Sequence, residues 1–191
     1  MPEEILRDIA SEREIRIKRL DQIKKAGVDP YPASSRRSHY NKEIIEKFAI
    51  LSVSLEKVFV VGRLLSLRRH GGSIFADLED ESSKLQVYFK KDILGDPKFS
   101  LVSDLLDTGD FVEVTGAVAK THKGEITVVA EDIRLLTKTI RPLPSQWYGL
   151  KDQEERYRRR YVDLAMNPEA RAMFKQQSQF NQEFRNFYLK N

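Results

Sequence analysis

Two short segments with a period of two carry the residues that could do chemistry. In SIFADLED (73–80), Ile74, Ala76 and Leu78 fall on one face and Ser73, Phe75, Asp77 and Glu79 on the other. Phe75 is the single aromatic on that polar face. In KLQVYF (84–89), Leu85, Val87 and Phe89 point one way while Gln86 and Tyr88 point the other. If the two segments pair as a meander, Phe75 and Gln86 share an outer face. An exposed ring beside an amide suits an unpaired nucleobase. The ring stacks on the base for about 1–3 kcal/mol, and the amide both donates to and accepts from its edge. The plain alternative is a ring covered by a helix from the N-terminal end of the chain.

Two charged residues extend this set. Arg63, Arg68 and Arg69 line the preceding apolar segment next to Gly71-Gly72, and arginine can clamp phosphate or pair with base acceptors. Strict alternation puts Arg68 on the same face as Val58, Val60 and Leu64, so it turns outward only if a bulge near Gly62 reverses the parity. A solvated edge arginine is the competing reading. Glu125 has the opposite parity to Ile126, Val128 and Ala130. It is either a solvated strand end or an acceptor for a base N–H. The run Arg156, Arg158, Arg159 and Arg160, interleaved with Tyr157 and Tyr161, reads as a solvated helix face paired with Glu154 and Glu155 rather than as an RNA contact.

Composition removes other chemistries. The 191 residues include no cysteine, which excludes disulfide frameworks, thiolate metal sites and thiol nucleophiles. His39, His70 and His122 are far apart, and no HxH or HExxH spacing is present. No GxGxxG, GxxxxGK[ST] or Ser/His/Asp arrangement occurs, so the residues alone show no active site. No apolar run approaches the length of a membrane span, and the acidic opening MPEEILRDIASERE is not a secretion signal. A net charge of +4 permits a polyanionic partner without demanding one.

The elements that must position these residues follow from periodicity. Residues 3–26 predict a helix with Ile5, Ile9, Ile15 (or Ile17), Leu20 and Ile23 on its apolar stripe, stopped at Gly27. VDPYPASSRRSHY (28–40) predicts an extended connector, and Asn41 caps a short helix to about Ala49 with Ile44, Ile45 and Phe48 inward. From Lys57 the pattern predicts three strands as a meander, a short helix opened by Pro97, and a two-strand hairpin turning at His122-Lys123-Gly124. That order is an OB-fold, a five-stranded Greek-key barrel, mainly β with flanking α. The organisation predicted is a helical extension at 1–56, the barrel at 57–140, a Pro- and Gly-containing linker at 141–152, and helices at 153–191. Asn167-Pro168-Glu169 starts the last helix, which sets Met173, Phe180, Phe184 and Phe187 on one face. So aromatic a face implies that the chain is cut there or that the face meets a partner.

The segment RPLPSQWYGLKDQEERYRRRYVDLAMNPEARAMFKQQS resembles the junction between anticodon-binding and catalytic domains in class II lysyl-tRNA synthetases of bacterial type. VVGRLLSLRRHGGSIFADLEDESSKLQVYF, HKGEITVVAEDIRLLTKTIRPLP and KKAGVDPYP extend the resemblance over essentially the whole chain. It implies a barrel that reads the anticodon of tRNA-Lys. Phe75 would stack on the central uridine with Gln86 and Arg68 contacting that base, and Glu125 would read the wobble uridine. It further implies ATP and Mg²⁺ for the full-length enzyme but no cofactor for this fragment, a homodimer for the full-length enzyme, and a cytoplasmic location. The later arginine-bearing motifs of the catalytic domain are missing from the sequence, so the expectation is a chain that binds RNA and does not catalyse.

Overall fold

A computed structural model of the chain describes residues 3–54, 56–144 and 152–190. The chain divides into two compact units, Met1–Pro142 and Leu143–Asn191. Most of the predicted linker, residues 145–151, lies outside the described residues.

The first unit is built on the alternating segments. Strands β1 (Val58–His70), β2 (Ser73–Glu79), β3 (Lys84–Lys90), β4 (Phe111–Lys120) and β5 (Ile126–Thr137) close into a barrel in the order β1-β2-β3-β5-β4. All neighbours are antiparallel except β3 and β5, which run parallel. This is the predicted OB-fold. Its interior is the apolar parity of each strand: Val58, Val60, Leu64, Ile74, Ala76, Leu78, Val87, Phe89, Val112, Val114, Val128, Ala130 and Leu135 are buried. Closure removes the sheet edges that an open five-stranded sheet would expose.

The parity of β1 does reverse, but not at Gly62. The register against β2 shifts between Leu64 and Ser66, so Leu64 and Leu67 both face the core although an odd number of positions separates them. Arg68 is thereby turned outward, directly opposite Phe75. Gly62 serves a different purpose. A Cβ there would lie 2.6 Å from the carbonyl oxygen of Glu79, so its absence lets β1 cross closely over the end of β2.

Between β3 and β4 the chain forms α4 (Lys91–Leu94), α5 (Asp96–Ser100) and a π turn at Leu101–Leu105, where the sequence predicts one helix from Pro97. Leu94, Phe99, Val102 and Leu106 are buried in the barrel core. The connector 28–40 is extended and tied to the barrel. Ser38 donates its N–H to the Phe59 carbonyl and accepts from the Phe59 N–H through Oγ. Arg36 grips the fully buried Glu113 carboxylate at 2.8 Å.

Helix α1 (Glu3–Lys25) departs from its predicted stripe. Leu20 and Ile23 are buried as expected; of the alternatives Ile15 and Ile17, Ile15 is exposed and Ile17 half-buried, and the buried side chain between them is Arg16. Its guanidinium donates to the carbonyls of Thr108 (3.0 Å) and Thr139 (3.4 Å) and to Glu12, so a charged side chain satisfies backbone groups that an isoleucine would leave orphaned. Ile5 and Ile9 lie outside the residues whose side chains are described. Beside this contact, Arg19 pairs with Asp107, and the fully buried Lys138 ammonium bonds Asp107 (2.5 Å) and Asp110 (2.7 Å).

Two short helices replace the single one expected at 41–49: α2 (Asn41–Glu46) and α3 (Phe48–Ser54). Asn41 is not the cap. Tyr40 holds that position, its N–H bonded to the Glu43 carboxylate at 2.8 Å, while the buried Asn41 amide donates to the carbonyls of Leu78 and Ser83. Ile44 is buried, Phe48 packs partly on the core, and Ile45 is exposed.

The second unit holds α6 (Gln153–Arg158), α7 (Arg160–Met166) and α8 (Pro168–Lys190). Asp152 caps α6 through its carboxylate, and Asn167 caps α8 by accepting from the N–H groups of Glu169 and Ala170. Half of the arginine run is the paired face the sequence predicts, Arg158 bonding Glu154 and Arg159 bonding Glu155, whereas Arg156 and Arg160 converge instead on the buried Asp163. Burial pushes the Asp163 carboxyl up, and the two arginines pull it down further, leaving it below the ordinary range. Met173, Phe180, Phe184 and Phe187 are exposed on α8.

Candidate nucleic-acid interface

The outer faces of β1, β2 and β3 and the β4–β5 hairpin bring the four sequence-predicted residues onto one surface. The β2–β3 turn is closed by the pair Glu79↔Lys84, and the register it sets places Asp77 opposite Gln86 and Phe75 opposite Tyr88. On the other side of β2, Arg68 is the partner of Phe75 and Ser66 that of Asp77. Cross-strand partners on one face have their Cβ atoms within about 5.5 Å of each other. Ser66, Arg68, Phe75, Asp77, Gln86 and Tyr88 are therefore contiguous.

Phe75 is half-buried and stacks on Tyr88, with ring centroids 4.5 Å apart and planes 21° from parallel. The Tyr88 hydroxyl is 2.9 Å from Ser73 Oγ, which pins the second ring in turn. Tyr88 is visible in the sequence as the outward neighbour of Gln86, yet only the register of the β2–β3 turn puts it against Phe75.

Arg68 is half-exposed and already engaged. Its Nη1 and Nη2 form a fork on Asp77 at 2.7 and 3.0 Å, and Ser66 Oγ donates to the same carboxylate at 2.5 Å. The Arg68 hydrogen bond, supported by Ser66, holds the Asp77 carboxyl below the usual carboxylate range. Reciprocally, that hydrogen bond and the nearby charges of Asp77 and Glu125 raise Arg68 above its ordinary value. Arg68 therefore presents a neutralised, oriented guanidinium plane rather than a free cation. Asp77, the residue that orients it, has no motif in the sequence to announce it.

Glu125 precedes β5, just after a tight turn in which the Gly124 N–H donates to the Thr121 carbonyl at 2.8 Å. Gly124 adopts φ +82°, a conformation that disfavours residues with a Cβ, and this turn delivers Glu125 across the parallel β3–β5 seam. There the Glu125 carboxylate accepts from Gln86 Nε2 at 2.7 Å. Gln86 itself is buried, and its Oε1 has no hydrogen-bond partner. The two residues, 39 apart in sequence, thus form one polar unit.

Together the site holds a stacking ring with a second ring behind it, an oriented guanidinium, a carboxylate, and beneath them a buried amide with an unpaired acceptor. This set can bind a planar base and read its edge. Among the described residues no group of three His, Cys, Asp or Glu side chains could hold a metal ion, and no helix is long and apolar enough to cross a membrane.

The family model for tRNA anti-codon domains, described as an OB-fold nucleic acid binding domain, matches residues 58–136. Over its wider length the chain is similar to lysine–tRNA ligases. It is 42% identical over 173 residues to that of Carboxydothermus hydrogenoformans, covering 91% of this chain and 35% of the relative. For Syntrophomonas wolfei the identity is 39% over 180 residues, with 94% and 36% covered. For Methanospirillum hungatei it is 41% over 174 residues, with 90% and 34% covered. The chain spans about a third of the length of these curated relatives. Residues 58–136 thus match the OB-fold model for tRNA anti-codon domains, on a chain similar to part of the lysine–tRNA ligases along nearly all of its own length.

Proposed function

We propose that the barrel binds the anticodon loop of tRNA-Lys and serves as the recognition part of a class II lysine–tRNA ligase. The observation that carries this reading is the contiguity of Arg68, Phe75, Gln86 and Glu125 on one outer surface of the barrel. In it, Phe75 stacks on the central base, Gln86 and Arg68 meet the edge of that base, and Glu125 accepts from the wobble base. A carboxylate beside a polyanion is repelled by phosphate, so its presence favours base reading over backbone contact.

On the same reading the whole enzyme activates lysine with ATP and Mg²⁺, works as a homodimer, and resides in the cytoplasm. ATP and Mg²⁺ belong to its catalytic part. This chain binds and does not catalyse, so pyrophosphate exchange into ATP by it would overturn that assignment.

The test is binding of anticodon stem-loops at one stated salt concentration, because phosphate contacts make affinity salt-dependent. Loops with UUU or CUU should bind, and replacing the central U should weaken them strongly. Equal affinity for unrelated oligonucleotides would instead indicate a single-strand binder without sequence choice. Absence of binding at low salt would leave an assembly module.

A further inference from the structure

Gln86 is an amide whose two ends are treated differently. Its Nε2 donates to the Glu125 carboxylate at 2.7 Å, while its Oε1 is buried without a partner. An amide can rotate by half a turn and exchange these ends at little steric cost, but a carboxylate only accepts. Glu125 therefore admits one orientation of Gln86 and rejects the other, in which two oxygens would oppose each other. Thr127 Oγ1 donates to the Gln86 main-chain carbonyl at 3.1 Å, so the backbone of this residue is held as well. What remains is a buried acceptor with no protein donor, on a side chain whose register places it on the same side of the sheet as Phe75.

We propose that Glu125 is a positioning residue for the base stacked on Phe75, acting through Gln86. By fixing the amide it makes Gln86 an acceptor there, and so selects a base whose edge donates an N–H. Uracil carries such a donor at N3, whereas cytosine carries a lone pair at the same place. The anticodon-binding reading underlies this inference. It adds that Glu125 influences the central base even when it touches no base itself.

The experiment uses the 191-residue chain and stem-loops with U or C at the central position and an abasic residue at the first. With no first base to contact, a purely direct role for Glu125 predicts no effect of Glu125→Gln on the U-over-C preference. The positioning role predicts that Glu125→Gln lowers this preference about tenfold, because an amide at 125 accepts or donates and frees Gln86 to turn. In a Gln86→Ala background the same substitution should change nothing further. An unchanged preference in the single variant, or an equal drop in both backgrounds, overturns the proposal. If the unmutated chain binds no stem-loop, the anticodon reading fails instead. The orientation is then decided by NMR of the Gln86 side-chain NH₂, where one proton should be shifted downfield by the carboxylate and return in Glu125→Gln. An unshifted pair overturns the proposal without any RNA present.

Discussion

The rings of Phe75 and Tyr88 face each other across the β2–β3 ladder at 4.5 Å and 21° from parallel. A base that stacks on Phe75 therefore meets a ring already held on its far side, with one rotamer to keep rather than several to lose. Phe75→Ala should cost about 1–3 kcal/mol of stem-loop binding. Tyr88→Leu should cost less, about 0.5–1.5 kcal/mol, because it removes the support and leaves the platform. Fluorescence anisotropy at constant salt gives the ranking, and a larger loss for Tyr88→Leu would make Tyr88 the platform.

Asp77 neutralises Arg68 on the same surface. Asp77→Asn should free the guanidinium and make binding less selective and more salt-sensitive, steepening the logarithmic salt slope by about 0.7 per added phosphate contact. Because this pair is partly exposed, the fold itself should lose only about 0–1 kcal/mol. An unaltered salt slope would mean that Arg68 stays where Asp77 held it.

Lys138 is buried between Asp107 and Asp110 and also donates to the Leu105 carbonyl at 2.8 Å. Burial raises the Asp110 carboxyl above its ordinary value even though Lys138 opposes this. Lys138→Ala would leave the buried Asp110 carboxylate without a counter-charge, Asp107 keeping Arg19, and should destabilise the barrel by about 3 kcal/mol or more, read from urea unfolding. A loss below about 1 kcal/mol would show that water replaces the ammonium.

Asp80 ties α2 to the β2–β3 turn by accepting from the N–H groups of Asn41, Ser82 and Ser83. Burial pushes its carboxyl up, but these bonds and the Ser82 hydroxyl outweigh it and leave it below the ordinary value. A depressed carboxylate contributes stability above its unfolded value and loses it as pH falls through the folded one. Asp80→Asn keeps an acceptor and loses the charge. Melting temperature should then fall less steeply with acid in the variant than in the parent chain. Parallel acid limbs would assign the loss to other carboxylates.

Much of the barrel is legible in the sequence because alternation is a local property. The buried sets Ile74, Ala76, Leu78 and Leu85, Val87, Phe89 follow from a period of two, and the turn between them is short enough to set their register. The shared side of Phe75 and Gln86 is readable for the same reason, but the exposure expected there is not met: Phe75 is half-buried and Gln86 is buried, its amide drawn to Glu125 across the β3–β5 seam. An outward Arg68 requires a bulge in β1, but alternation does not locate it. Gly62 is the natural host by residue type, and only the β1–β2 ladder shows the shift at Leu64–Ser66. The buried Arg16 lies beyond the reach of helical periodicity. Burial of a charge depends on partners at Thr108 and Thr139, which a spacing rule within one helix does not contain.

By itself the sequence determined the order of the strands, the core faces of β2 and β3, the shared face of Phe75 and Gln86, and the absence of thiol chemistry. Only the tertiary structure decided which of these side chains act together. Phe75 with Tyr88, Arg68 with Asp77, and Gln86 with Glu125 are pairs made across strands. The last of them crosses the parallel β3–β5 seam, which exists only once the barrel has closed. Parity is settled residue by residue along the chain, whereas partnership is settled by which strands lie side by side.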